Sequence, residues 1–381
     1  MLLKIKIDIL LNFLVRKERV INMKKRIFNL DLIRIIGLLL IVFNHALNTV
    51  WDATNYSYWL NSGIGEKIFI VIGYVICRLG VPLFLMLTGA LILNKKFETK
   101  SDIIGFYKKN LFNLVLVVLI WNFIYYIFDV LYNNNIFNIK ELIYILLFMK
   151  KSTMPHMWYM PMIIGMYLAL PFLSAVVKKY DFESVIVPLL VSVIFFYLIP
   201  NFKTFLNFWG YKAYYINSIL DLSFFGGVYG LYIVMGYYIY NKKIFEKISK
   251  KTLSFVVILG LIISCIFQII GYLNESKYII YYNFIGILVS SIFLFEILRR
   301  HEKCNNKIIK NKAMKISKFT LGIYFIHRPL LFIFKKYWVL KFNSCINIFI
   351  YYLCSLIVSY SLVLVFSKFG IFKKYLFLVK D

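Results

Sequence analysis

Five side chains in this 381-residue sequence are candidates for chemistry, because each lies inside an apolar run where a polar group is expensive. They are Arg34, His45, Arg78, His327 and Arg328. Histidine titrates closest to neutrality, which makes His45 the leading candidate for a general base. Arg34 and His45 are eleven residues apart, about three helical turns, so they share one helix face and are separated by about 16 Å along its axis. That face presents a fixed positive charge at one mouth of a span and an imidazole near the middle. Arg78 opens RLGVPLFLMLTGALIL near the centre of a second run, where Pro82 can loosen the helix and free carbonyls. His327, Arg328 and Pro329 sit at the centre of a later run. Three runs thus bring a cation or imidazole to similar depth, a cost that a shared polar cavity would offset. Asp31 and Glu296 fall near the inner edge, and Asp129 and Asp221 toward the outside, so no relay of paired acids is predicted.

Simpler readings stand beside these. Arg34 can snorkel to headgroups, and His327 can hydrogen-bond a neighbouring helix without any catalytic part. His156 and His301 read as solvated side chains. Trp51, Tyr56, Tyr58, Trp59, Trp158, Tyr159 and Trp209 read mainly as an interfacial belt, with a subset available to stack on sugar rings.

The elements that must hold these groups are membrane helices. A chain that is 61% hydrophobic, with a mean hydropathy of +0.77, carries more apolar surface than one water-soluble core can bury. Ten apolar runs meet the length of a span: 32 to 51, 68 to 93, 111 to 132, 157 to 177, 184 to 200, 219 to 240, 253 to 273, 279 to 298, 319 to 338 and 345 to 367. The prediction is an all-α polytopic membrane protein of about ten transmembrane helices. With both termini in the cytoplasm, 32 Lys or Arg fall in inner segments and 10 in outer loops. With Lys335 and Lys336, at the outer end of the run 319 to 338, counted among the 10, only Arg34, Arg78 and Arg328 remain deep inside spans. The net charge of +28 is therefore explained by topology, and nucleic acid is not expected as a partner. Membrane lipids are. The five cysteines show no paired spacing, so neither a disulfide framework nor a metal site is predicted. Residues 1 to 22 read as an N-terminal extension or an upstream start ahead of Met23, and residues 23 to 381 as a single transmembrane domain.

At these residues the sequence resembles the membrane-bound acyltransferase family 3, over nearly the whole chain from Arg26. NLDLIRIIGLLLIVFNHA is similar to that family's first-helix signature, with Asp31, Arg34 and His45 in its positions. RLGVPLFLMLTGALIL, HMWYMPMIIGMYLALPFL and LGIYFIHRPLL resemble its other motifs, although Thr88 stands where many members have Ser. The resemblance implies a catalytic role for His45 and donor-binding roles for Arg34 and Arg78. Asp31, Trp158, His327 and Arg328 are supporting candidates. It implies acetyl-CoA as acyl donor without a metal, and a surface glycan or lipid-linked oligosaccharide as acceptor. The place would be the bacterial cytoplasmic membrane. No fused esterase-like domain is visible, so the chain looks like the stand-alone members, such as the enterobacterial common antigen O-acetyltransferase. A transporter or flippase of a lipid-linked glycan is the alternative, although the repeated halves common in transporters are not seen. A multi-span glycosyltransferase would be expected to carry a larger external loop with an acidic residue.

Overall fold

The structure is a computed structural model that describes residues 27–211, 213, 226–301, 306–340 and 342–379. Among these residues every regular element is helical and no strand occurs. The expected extension over residues 1 to 22, the first residues of the run 219 to 240, Asp221 and Cys304 lie outside the described residues. Each of the ten expected runs contains a helix. They are α1 (Phe28–Val50), α2 (Ile64–Cys77), α3 (Gly80–Ile92), α4 (Lys100–Asn133), α5 (Pro155–Lys179), α6 (Phe182–Phe208), α7 (Gly227–Asn241), α8 (Lys250–Leu273), α9 (Ile285–Arg299), α10 (Lys307–Tyr337) and α11 (Ser344–Phe366).

Seven of these, with α2 and α3 taken together, are long and apolar enough to cross a membrane. The described parts of α7 and α9 are 15 residues each, and α10, at 31 residues, carries lysines toward both ends and Arg328 between them. Two helices begin well before the apolar count places them. Thr99 and Asp102 close a capping box ahead of α4, and the Asn306 side chain accepts from the Ile308 and Ile309 N–H groups ahead of α10. Hydropathy reports the lipid-facing stretch, whereas caps let the helix extend through basic turns that hydropathy excludes.

Small and polar residues face inward, and large aliphatic ones outward. On α8, Ser264 and Gln268 are fully buried while Ile258, Ile262 and Ile266, four residues apart, are about half exposed. This is the pattern expected where lipid wets the outer surface and small residues bring helices together. The α3–α7 pair takes it furthest. A Cβ at Gly89 would lie 1.8 Å from the Ile233 carbonyl oxygen, and one at Gly236 would lie 2.1 Å from that of Met86, so only glycine permits this approach. Central to the bundle, α1 packs against α2, α3, α9, α10 and α11.

At one end α1 is tied to α9, where the Asn29 amide donates to the Arg299 carbonyl at 2.5 Å. There Glu296, fully buried, accepts from Arg299 at 2.7 and 2.9 Å and from Arg300 at 2.5 Å. Arg299, which falls by position among the inner-segment cations, is buried, because the last turn of α9 folds its guanidinium onto Glu296.

Proline decides the geometry of α10. Pro329 has no N–H to give the carbonyl four residues earlier, at Phe325, and lipid offers no water in its place. The Tyr125 hydroxyl of α4 donates to that carbonyl at 2.6 Å. Tyr125→Phe should therefore cost about 1–3 kcal/mol by orphaning a buried acceptor. Thermal unfolding in detergent measures this, and adding Pro329→Ala, which restores the missing N–H, should recover part of the loss.

Candidate functional site

Three histidines meet where α1, α5 and α10 converge. His45 of α1 and His327 of α10 stack with ring centroids 5.0 Å apart and join through Nδ1 of His45 and Nε2 of His327 at 2.7 Å. His156, in the first turn of α5, stands edge-on to both, 5.8 Å from His45 and 5.4 Å from His327. Its expected solvation is corrected: it is 3% exposed. The first turn of α5 dips into the bundle, where the Tyr324 hydroxyl donates to the His156 carbonyl at 2.6 Å.

Backbone carbonyls set the proton order in this cluster. Nδ1 of His327 lies 3.0 Å from the Ile323 carbonyl, which can only accept, so that nitrogen carries the hydrogen. With both rings neutral, His327 Nε2 is then the acceptor and His45 Nδ1 the donor. His45 Nε2 is left as a bare lone pair, and His45 lines the cavity. A parallel argument fixes His156. Tyr125 spends its hydroxyl hydrogen on Phe325, so at 3.4 Å it can only accept from His156 Nε2–H, and His156 Nδ1 is bare and unpartnered.

The cavity has a volume of about 330 Å³. Asn44, His45, His156, Trp158, Tyr282 and Tyr324 line its histidine end. Arg34, Lys109, Asn110, Asn113 and Tyr167 line the other. Tyr167 connects that far end: its ring stacks on Phe106 at 5.7 Å, and Arg34 is the charge acting on its hydroxyl. Because α1 and α5 run in opposite directions, two equal steps of eleven residues, Arg34 to His45 and Tyr167 to His156, define both walls. Each step is about 16 Å.

The three span arginines take different places. Arg34 lines the cavity and is held by Asp31 Oδ1 at 3.3 Å and Ser317 Oγ at 3.0 Å, while Ser317 in turn donates to Asp31. Arg78 occupies the break between α2 and α3, buried against Tyr74 at 4.1 Å, Tyr281 at 4.8 Å and Tyr282 at 5.7 Å. Tyr282, not Arg78, forms the cavity wall there. Arg328 donates to the His45 carbonyl at 2.8 Å and to Thr49 Oγ1 at 2.9 Å, which fastens α10 to α1 directly behind the histidine.

The aromatic belt is also partly internal. Trp51 and Trp59 are buried, whereas Trp209 is exposed, and Trp158, 40% exposed, packs against Tyr282 and Tyr229, each at 5.7 Å. Among the described residues, no group of three or more His, Cys, Asp or Glu is arranged to hold a metal ion. Asn44, Lys109, Asn110 and Asn113 were not singled out by sequence. A signal existed only for Asn44, a polar residue beside His45 inside a span.

A family model described as an acyltransferase domain matches residues 27–367. No curated protein and no solved structure matches the chain.

The proton order is open to measurement. Solid-state spectra of protein with 15N-labelled histidine should show His45 protonated on Nδ1 and bare on Nε2. The opposite tautomer would rule out the hydrogen-bond order derived from Ile323.

Proposed function

The chain belongs to acyltransferase family 3, and from that premise we propose that it moves an acetyl group from acetyl-CoA to a hydroxyl of a cell-surface polysaccharide or lipid-linked glycan. The observation that carries this reading is the His45–His327 hydrogen bond at 2.7 Å, which leaves Nε2 bare on a histidine that lines the cavity. Family membership supports acyl transfer in general. The donor and the acceptor are what the resemblance implies, and the base is proposed from the chemistry of the site.

In this proposal the hydroxyl oxygen attacks the thioester carbonyl as its proton passes to His45 Nε2. His327 holds the ring and accepts the Nδ1–H while the positive charge develops. Negative charge gathers on the carbonyl oxygen, and Asn44 lies beside His45 to donate a hydrogen bond to it. As the carbon–sulfur bond breaks, the thiolate takes the proton back from His45, leaving ester and free thiol. In the two-step alternative, Nε2 itself attacks and an acyl-histidine forms first. Incubating the protein with labelled donor alone and looking for bound label separates the two routes.

The Arg34 end is assigned to the cytoplasm, where the basic residues concentrate and acyl-CoA is made. Trp158, which is 40% exposed and lines the cavity, is the aromatic side chain proposed to contact a sugar ring. The membrane is accordingly the bacterial cytoplasmic membrane.

The test is transfer of label from acetyl-CoA to glycan by protein purified in lipid. His45→Ala should lower the rate about 10²- to 10⁴-fold while the protein still inserts. Normal acetylation by that variant would overturn the assignment. Asn44→Ala should lower kcat about 10²- to 10³-fold, and Asn44→Asp, which loses the donor but keeps the shape, should behave alike.

A further inference from the structure

We propose that the far end of the cavity is a phosphopantetheine site, with Lys109 as its phosphate contact and Asn110 and Asn113 as hydrogen-bond partners for the amide groups of the arm. This rests on the reading that the donor is a thioester carried on such an arm. Three observations point there.

First, Arg34, the cation to which the family resemblance gives a donor-binding role, is already engaged. It shares Asp31 and Ser317, and Asp31 is 2% exposed, so much of the Arg34 charge is answered within the protein. Lys109 lines the same cavity, is exposed, and makes no ion pair among the described residues. A lysine ammonium is a compact point charge suited to a phosphate oxygen.

Second, the turn that carries Lys109 is irregular. Residues Tyr107–Leu111 form a π turn within α4. The Asn110 side chain donates to the Phe106 carbonyl at 3.2 Å, and the Asn113 side chain donates to the Lys109 carbonyl at 2.9 Å. Each amide thus spends one N–H on the helix, so its second N–H and its carbonyl oxygen are the parts the side chain can offer a ligand. A ligand with both an anion and amide N–H donors fits, and phosphopantetheine has a phosphate at one end and two secondary amides along its length.

Third, the distance matches. From the Arg34 level to His45 is about 16 Å, the order of an extended arm from phosphate to sulfur. A phosphate held at Lys109 therefore delivers the thioester to His45 Nε2. The same arm occurs on coenzyme A and on acyl carrier protein, and the donor used in the test tells them apart.

The experiment compares acetyl-pantetheine, acetyl-4′-phosphopantetheine, acetyl-CoA and acetylated acyl carrier protein as donors for the full-length protein in lipid nanodiscs. Wild type should prefer the phosphorylated arm over the unphosphorylated one. Lys109→Gln should shrink that preference about tenfold through KM, in line with loss of one hydrogen bond to a charged group, and Lys109→Arg should keep most of it. Asn110→Leu with Asn113→Leu should raise KM for every donor, including the phosphate-free one. If Lys109→Gln lowers turnover of phosphorylated and unphosphorylated arms equally, or changes neither, the phosphate contact is wrong while acyl transfer stands. If wild type turns over no thioester in the series, the donor reading under "Proposed function" falls, and this site with it.

Discussion

Inside a bilayer a carbonyl that loses its helical donor must find another within the protein, and one such carbonyl organises this site. Pro329 strips Phe325 of its partner, and Tyr125 replaces it from another helix. The replacement has two effects. It holds α4 against α10, and it leaves the tyrosine oxygen able only to accept, which turns the neighbouring His156 so that Nε2 donates and Nδ1 stays bare. A second carbonyl, at Ile323 one turn of α10 before His327, sets that ring in the same manner. The imidazole protons are therefore ordered by backbone oxygens rather than by carboxylates, which explains how the site manages without an acid at its centre.

The charged groups divide by what answers them. Arg299 and Arg300 meet a fully buried carboxylate, Arg78 is held by tyrosine rings, and Arg328 is bound to a carbonyl and a hydroxyl. Breaking any of these would leave a buried cation exposed to a low-dielectric interior, so these groups fix helices in place. Lys109 differs in being exposed on the cavity and without an ion pair among the described residues. A ligand can engage it without first displacing a protein partner. Arg34 stands between these cases, cavity-lining but shared with Asp31 and Ser317.

Much of this was legible in sequence because helix geometry is local. The shared face of Arg34 and His45 follows from eleven residues at 3.6 per turn, and both line the cavity. The depth of His327 follows from its place in an apolar run. What escaped was tertiary. His156 looked solvated because it lies at the start of its span beside Pro155, and partners distant in sequence, Tyr125 and Tyr324 with the rings of His45 and His327, make it internal. Arg78 has the right depth, yet depth carries no azimuth, and the break between α2 and α3 turns it onto Tyr74 and Tyr281 behind the wall. The π turn at Tyr107–Leu111 has no compositional mark at all, so Asn110 and Asn113 read as ordinary polar residues near a membrane edge.

The dimensions of the cavity bear on the acyl group as well as on its carrier. Its length is set by two antiparallel helices whose matching residues are eleven apart on each, and such helices do not stretch. Its volume, about 330 Å³, lies at the lower end of small-molecule sites. An extended arm running from the Arg34 level to His45 would use most of that length, and Asn44, Tyr324 and Tyr282 close the histidine end. On the function proposed above, the space left beside His45 would take a short acyl group and one sugar hydroxyl far better than a long hydrocarbon tail. Chain-length preference would then arise from where the arm is anchored, because a fixed anchor and a fixed base leave the acyl carbon a single position along the cavity.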